Sequence, residues 1–183
     1  MGKRVFVAAG HSRVAPGLVT PEFREFDVNY EALQIFVKRF QHAGFEVFVP
    51  DESIYQLPYP QYLTRRIEMV NDLHAQAPLD LAIDIHHNFS PSPRTNGIWL
   101  IYGSQRVGQL AEQMESFLKE LNHTVRAMSL SELGRSLGFI KRTTPPALIV
   151  ECGFLTGAVD KLIIRFARGL LYNAIADAVI HVL

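Results

Sequence analysis

Short apolar runs alternate with longer segments of helical periodicity along this chain, and the alternation restricts the fold more than any other feature. The apolar runs occupy residues 5–9, 45–49, 79–86, 98–102 and 147–150. Between them, residues 28–43, 62–75 and 110–121 place apolar side chains at helical spacing. Strands that alternate with helices usually pair in parallel, because each helix carries the chain back across the sheet. We therefore predict an α/β fold with a mostly parallel, twisted sheet of about six strands, flanked by helices on both faces.

The C-terminal segment, residues 163–183, has a further helical pattern that includes Phe166 and Leu170. We expect it to close as one final helix against the sheet. No internal repeat, low-complexity tract or linker interrupts the 183 residues, which suffice for one domain with a full core. The prediction is a single domain over residues 1–183.

Composition excludes several classes of partner and site. The 18 basic and 18 acidic residues cancel, so there is no charge excess for binding nucleic acid or an anionic membrane surface. Cys152 is the only cysteine, which rules out an internal disulfide and a cysteine-rich zinc site. The first apolar run is too short for a signal peptide, and no window reaches the roughly 18 apolar residues of a membrane span. We expect synthesis in the cytoplasm without an export signal.

Three side chains of types that can bind a metal ion lie at or near the ends of predicted strands. His11 follows the first apolar run, His86 closes the third, and Glu151 follows the last. Because ligands bind beyond the carboxyl ends of parallel strands, we expect these three side chains on one edge of the sheet. Two imidazoles and a carboxylate form a frequent catalytic zinc set, and an acidic residue in an apolar strand has a raised pKa suited to proton transfer.

Glu25 is the preferred third ligand because it opens the first long amphipathic segment after His11. Glu22 and Glu31 are competing candidates for this ligand. A carboxylate in the first turn of a helix also often interacts with the helix dipole instead of binding a metal. In the third strand, side-chain alternation places Asp84 and His86 on one face and leaves His87 on the other. The same alternation turns Cys152 away from Glu151, which favours a small core residue.

A set of short segments is spread over nearly the whole chain: Gly10-His11, Glu25-Phe26-Asp27-Val28, Gly44, Leu63, Arg66, Asn71, Asp84-Ile85-His86-His87-Asn88, Gly97 and the stretch 146–154 (Pro-Ala-Leu-Ile-Val-Glu-Cys-Gly-Phe). Together these segments resemble the zinc-dependent N-acetylmuramoyl-L-alanine amidases, which hydrolyse peptidoglycan. Their order and spacing are more specific than any single motif. The chain departs from the family in the turn of residues 12–17, in Pro50-Asp51, and in having Asp84 and His87 where smaller residues are usual.

The resemblance implies an activity and assigns roles. One Zn²⁺ would be bound by His11, Glu25 and His86, and Glu151 would be the catalytic glutamate. The bond cut would join the lactyl group of N-acetylmuramic acid to L-alanine, so the partner would be peptidoglycan or a muropeptide. Residues 1–183 would then be one catalytic domain without a separate cell-wall-binding domain, acting at the wall as a phage-type lysin or, like an enzyme of muropeptide recycling, in the cytoplasm.

Some assignments remain open at this level. Asp84 either orients the His86 imidazole or faces a helix and pairs with a nearby base. Asn88 and Arg94 are predicted substrate contacts, and the sequence does not decide whether His87 contributes. Two alternatives to the amidase remain: a zinc carboxypeptidase-like hydrolase of free peptides, which needs a basic residue in the cleft, and a non-catalytic wall-binding or scaffold domain, which predicts loss of Glu151 or a ligand.

Overall fold

Six strands and seven α-helices follow one another along the chain in the computed structural model, which describes residues 2–183. The strands are β1 (Arg4–Ala9), β2 (Glu46–Phe48), β3 (Leu81–Asn88), β4 (Ile98–Tyr102), β5 (Val125–Ser129) and β6 (Ala147–Phe154). The helices are α1 (Glu25–His42), α2 (Gln61–Gln76), α3 (Gln105–Glu120), α4 (Leu130–Leu133), α5 (Gly138–Arg142), α6 (Ala158–Phe166) and α7 (Arg168–Val182), with a 3₁₀ helix at Glu52–Gln56. The predicted α/β class is confirmed.

The strands form one sheet in the order β2-β1-β3-β6-β4-β5. The pairs β1–β2, β1–β3, β3–β6 and β4–β5 are parallel, and only β4–β6 is antiparallel. The mostly parallel sheet of six strands is therefore confirmed, with one reversal of direction. This order brings the carboxyl ends of β1, β3 and β6 side by side, so residues at those ends share one edge of the sheet.

Both faces of the sheet are covered, because alternate side chains enter two different clusters. In β1, Val5 and Val7 pack into a cluster with α1, α3 and α7, whereas Phe6 and Ala8 pack into a cluster with α2 and α5. The predicted flanking by helices on both faces is confirmed. Burial from both sides also explains the near-continuous apolar runs that mark these strands.

The two central strands extend further than the sequence pattern indicated. β3 continues through His87 to Asn88, and β6 continues to Phe154, so Glu151 lies inside β6 rather than at its end. Their pairing is irregular just beyond His86 and Glu151, where Gly153 has φ 142°. Such a bulge re-aims neighbouring side chains, and bulges are common beside active sites.

The expectation of one C-terminal helix is wrong. Ala167, at φ −140° and ψ 16°, leaves the helical region and separates α6 from α7. Phe166 and Leu170 flank this break and are 75% and 77% exposed, so neither packs against the sheet. None of the helices in residues 2–183 combines the length and the apolar character that crossing a bilayer requires.

Candidate metal centre

His11 lies in the first turn after β1 and has a backbone conformation that is uncommon for a non-glycine residue, with φ 67°. The preceding residue is held by two hydrogen bonds: Gly10 N–H donates to the Ile85 carbonyl in β3, at 2.6 Å, and Asn29 Nδ2 in α1 donates to the Gly10 carbonyl, at 3.3 Å. Local hydrogen bonds of this kind hold a conformation that sterics disfavour. As a result, the imidazole is directed at the start of α1.

Glu25 begins α1, and its two carboxylate oxygens have different partners. Oε2 accepts a hydrogen bond from Leu18 N–H at 2.9 Å, which leaves Oε1 facing the imidazoles. Oε1 lies 3.0 Å from His11 Nε2 and 3.2 Å from His86 Nδ1. One ligand atom from each of the three residues lies within 4.8 Å of the others.

This donor set fits a zinc ion. Bonds of about 2.0–2.2 Å to a tetrahedral Zn²⁺ place ligand atoms about 3.3 Å apart, close to the separations between Glu25 and the two imidazoles. Two histidines and one carboxylate also leave a fourth position open for water or substrate. Among residues 2–183, no other group of three or more histidine, cysteine or acidic residues has the geometry to hold a metal ion.

Asp84 contacts both of the partners that the sequence left open, an imidazole and a base. Its Oδ2 lies 3.1 Å from His86 Nε2, and its Oδ1 accepts a hydrogen bond from Arg66 Nη1 in α2 at 2.9 Å. A carboxylate that accepts from Nε2–H fixes the tautomer of an imidazole and leaves Nδ1 as a lone pair. In His86, Nδ1 faces Glu25 Oε1, so this nitrogen and that carboxylate are turned towards the same position, as two ligands of one metal ion would be.

Burial and neighbouring charges have opposite effects on the pKa values of His86 and Glu25. Burial lowers the pKa of His86, but the charge and hydrogen bond of Asp84, together with Glu25, outweigh it and raise that pKa to about 10. Burial raises the pKa of Glu25, but hydrogen bonds with His11 and His86 hold it well below its usual range. An ionised carboxylate is the form that a cation needs.

Two glycines are required for the side chains to approach this closely. A Cβ atom at Gly10 would lie 2.3 Å from His86 Cε1, and one at Gly17 would lie 2.4 Å from Glu25 Oε2. Gly17 also has φ 72°, a conformation that strains any other residue. Gly17, the last residue of the unusual turn 12–17, therefore leaves the space that the Glu25 carboxylate and the His11 imidazole occupy.

Glu151 lies beside His86, its register partner in the neighbouring strand, and is only 6% exposed. Burial raises the pKa of its carboxyl to about 7, although the nearby His86 opposes the rise. Its Oε2 has no hydrogen-bond partner in the described part of the chain. A buried carboxylate without a partner is costly, so this oxygen is available for a substrate or a proton.

The four side chains open onto one cavity of about 300 Å³. Its lining consists of His11, Glu25, His86, His87, Asn88, Phe89, Arg135, Leu137, Ile149 and Glu151. Asn88, a predicted substrate contact, is among them, and its Nδ2 is buried without a partner in residues 2–183. Arg94 is not: it lines a separate cavity of about 350 Å³ together with Asn96 and Asp160, and its contact with substrate stays a prediction.

The His87 side chain belongs to the other face of the sheet, as alternation predicted. Its Nδ1–H donates to Asn29 Oδ1 at 2.7 Å, and Tyr172 O–H donates to its Nε2 at 3.0 Å. Burial lowers the pKa of this imidazole to about 3, so it is neutral. His87 contributes its backbone N–H, which lies 3.4 Å from Glu25 Oε1. Cys152 is buried in the core on that same face.

Sequence reasoning missed Arg135 and Leu137, which lie between α4 and α5. Helices of four and five residues are too short to show a hydrophobic period. The only local sign was Gly134, which ends α4 with φ 68°.

We predict that Arg66→Met destabilises the protein by about 3–5 kcal/mol, because Asp84 would remain buried without its cation. Both residues are 1% exposed in the folded protein. The measurement is urea unfolding of the metal-free protein, so that metal binding does not contribute to the midpoint.

Arg65→Met is the matched control, since Arg65 is the adjacent residue and its pair with Glu68, at 3.0 Å, is exposed to solvent. We expect that change to cost less than about 1 kcal/mol. Equal effects of the two substitutions would contradict the role given to the buried pair.

The family model and the solved structures that match this chain carry the same description. A family model described as N-acetylmuramoyl-L-alanine amidase matches residues 5–181. No curated protein sequence gives a significant match. Three solved structures illustrate the shared fold, each at low sequence identity.

The N-acetylmuramoyl-L-alanine amidase of Clostridium difficile 630 superposes with a TM-score of 0.78 at 19% identity, covering 99% of this chain and 94% of that one. The catalytic domain of CwlV, an amidase from Bacillus (Paenibacillus) polymyxa var. colistinus, gives 0.73 at 22% identity, covering 98% and 95%. The catalytic domain of an endolysin that targets Clostridium difficile gives 0.75 at 19% identity, covering 98% and 96%.

Proposed function

Since this chain belongs to the N-acetylmuramoyl-L-alanine amidase family, we propose that it is a zinc-dependent enzyme that hydrolyses the amide between the lactyl group of N-acetylmuramic acid and L-alanine. One observation carries the proposal: the His11, Glu25 and His86 ligand atoms and the unpartnered Glu151 carboxylate line the same cavity. That combination is what metal-assisted amide hydrolysis needs.

His11, Glu25 and His86 would hold one Zn²⁺. When bound, the ion supplies a Lewis acid that polarises the amide carbonyl and lowers the pKa of water. The protein's own part is to hold both imidazoles in the orientation that metal binding requires. Asp84 does this for His86 by accepting from Nε2, and the Tyr62 hydroxyl, 3.4 Å from His11 Nδ1, lies where it can do so for His11.

Glu151 moves the proton. Its carboxylate accepts a proton from the water that attacks the lactyl carbonyl, and the resulting carboxylic acid donates that proton to the departing L-alanine nitrogen. The C–N bond breaks as the N–H bond forms, so the peptide leaves as a neutral amine. A pKa raised to about 7 by burial makes both protonation states accessible near neutral pH.

The substrate in this proposal is peptidoglycan or a soluble muropeptide. In this proposal Asn88 Nδ2 donates to a carbonyl of the bound peptide, which is supported by its burial without a partner in a residue that lines the cavity. We further propose that residues 1–183 act as one catalytic domain, and that the site of action is the cell wall.

A carboxypeptidase-like activity on free peptides is the second candidate. The cavity contains Arg135, the basic residue that such an enzyme needs for a terminal carboxylate. The scaffold alternative receives no support from the site, since Glu151 and the three ligand-type side chains are all present.

Product analysis tests the proposal and separates the candidates. The zinc-loaded protein is incubated with purified peptidoglycan, with a muramoyl peptide and with an unmodified peptide. We expect new N-terminal L-alanine from the first two substrates without new reducing sugar ends. Release of a C-terminal amino acid from the unmodified peptide would instead support the carboxypeptidase, and new reducing ends would contradict both.

A further inference from the structure

We infer that Arg135 recognises a carboxylate on the peptide that leaves, and that it sets a preference among stem peptides. This inference rests on the proposed amidase function and names the part of the substrate that Arg135 would bind.

The segment that carries Arg135 is held at both ends. α4 begins with a reciprocal cap, in which Ser129 Oγ accepts from Glu132 N–H and the Glu132 carboxylate accepts from Ser129 N–H. After Arg135, Leu137 packs onto the core cluster on the α2 face, and Phe139 is buried in it. Short helices anchored in this way place the guanidinium at the cavity without closing it.

Arg135 has a charge that the protein does not neutralise. It is exposed, and it forms no ion pair with any carboxylate in residues 2–183. Within that described part it is also the one arginine or lysine that lines the cavity. A planar guanidinium at a cavity wall suits a carboxylate, because two N–H groups can donate to its two oxygens at once.

Arg135 and Glu151 line the same cavity. Glu151 delivers its proton to the departing nitrogen, so the peptide that begins at this nitrogen must pass close to Glu151. The sugar leaves the scissile bond in the other direction.

The other lining residues also suit a peptide. Asn88 offers a buried donor for a carbonyl, and the Phe89 ring is 55% exposed beside the half-buried Leu137. A donor, a cation and an apolar surface complement a short acidic peptide better than they complement a neutral sugar chain, which needs several hydroxyl partners.

The test uses two muramoyl dipeptides that differ in one group, a free carboxylate or a carboxamide on the residue after L-alanine. Wild-type protein is expected to prefer the carboxylate by about tenfold in kcat/KM, mainly through KM, because one charge-assisted pair is lost with the amide. Arg135→Gln should bring the ratio close to one, and Arg135→Lys should retain part of it.

The ratio of the two substrates is the decisive quantity. Any effect of Arg135 on proton transfer by Glu151 changes kcat/KM for both substrates by the same factor. It therefore cancels in the ratio of the two values. Arg126→Gln is the matched control, since Arg126 is an exposed arginine in β5 that does not line this cavity. We expect it to leave the preference and the activity unchanged.

Binding gives an independent readout. Calorimetry with the two dipeptide products, again carboxylate against carboxamide, should show the same preference in wild type and its loss in Arg135→Gln. The inference is overturned if wild type binds both dipeptides equally, if Arg135→Gln keeps the preference, or if Arg94→Gln removes it. If binding discriminates but neither muramoyl substrate is cut, the proposed function fails and the carboxylate site stands.

Discussion

Glu151→Gln is expected to lower turnover on a muramoyl peptide by at least about two orders of magnitude while the protein keeps its zinc. General acid and base catalysis is typically worth roughly 10²- to 10⁴-fold, and in the proposed mechanism one carboxylate performs both transfers. The amide has the same shape as the carboxylate, so the cavity persists, but it can neither accept the proton of water nor return one to nitrogen. Turnover and zinc content are measured on the same sample.

Glu112→Gln is the control, because Glu112 is an exposed carboxylate on α3, outside the cavity. It should leave both quantities unchanged. Near-normal turnover in Glu151→Gln would mean that another group carries the proton. Loss of zinc in that variant would instead show that Glu151 is a ligand, contrary to its role as a proton carrier.

Removal of the metal is expected to cost about three orders of magnitude in turnover or more. Lewis-acid stabilisation of the transition state contributes several kcal/mol, and each 1.4 kcal/mol corresponds to about tenfold in rate. Dialysis against a chelator removes the ion reversibly, and added Zn²⁺ should restore activity with one ion per chain. His86→Ala should cause the same loss, which added Zn²⁺ should not reverse at the same concentration.

His42→Ala provides the comparison for that substitution, since His42 is an exposed histidine at the end of α1. Its zinc content and turnover should match the wild type. Activity that survives both chelation and His86→Ala would contradict a metal-dependent mechanism. A variant that loses zinc yet keeps turnover would separate the metal from the chemistry.

The sequence alone was sufficient for much of the fold and of the site. Apolar runs and helical spacing report whether a segment is covered on one side or two, and this information is local. It therefore predicted the class, the sheet and the two helical layers. His11, Glu25, His86 and Glu151 followed from strand ends and from the resemblance to the amidases, and the fold brings all four to one cavity.

The elements missed were those without a local signal. β5 is an edge strand in which Arg126 is exposed, so it lacks the continuous apolar run that marks its neighbours. The break falls at Ala167, two residues before Gly169, and apolar side chains continue at helical spacing on both sides of it.

Only the tertiary structure decided how the site is supported. Arg66 and Asp84 are 18 residues apart, yet their contact at 2.9 Å makes Asp84 able to orient His86. The partners of His87, the orphaned oxygen of Glu151 and the approach of Arg135 likewise depend on packing between distant segments. Periodicity records how deeply a residue is buried, but pairing between two polar groups is a property of three-dimensional distance, which one-dimensional patterns do not contain.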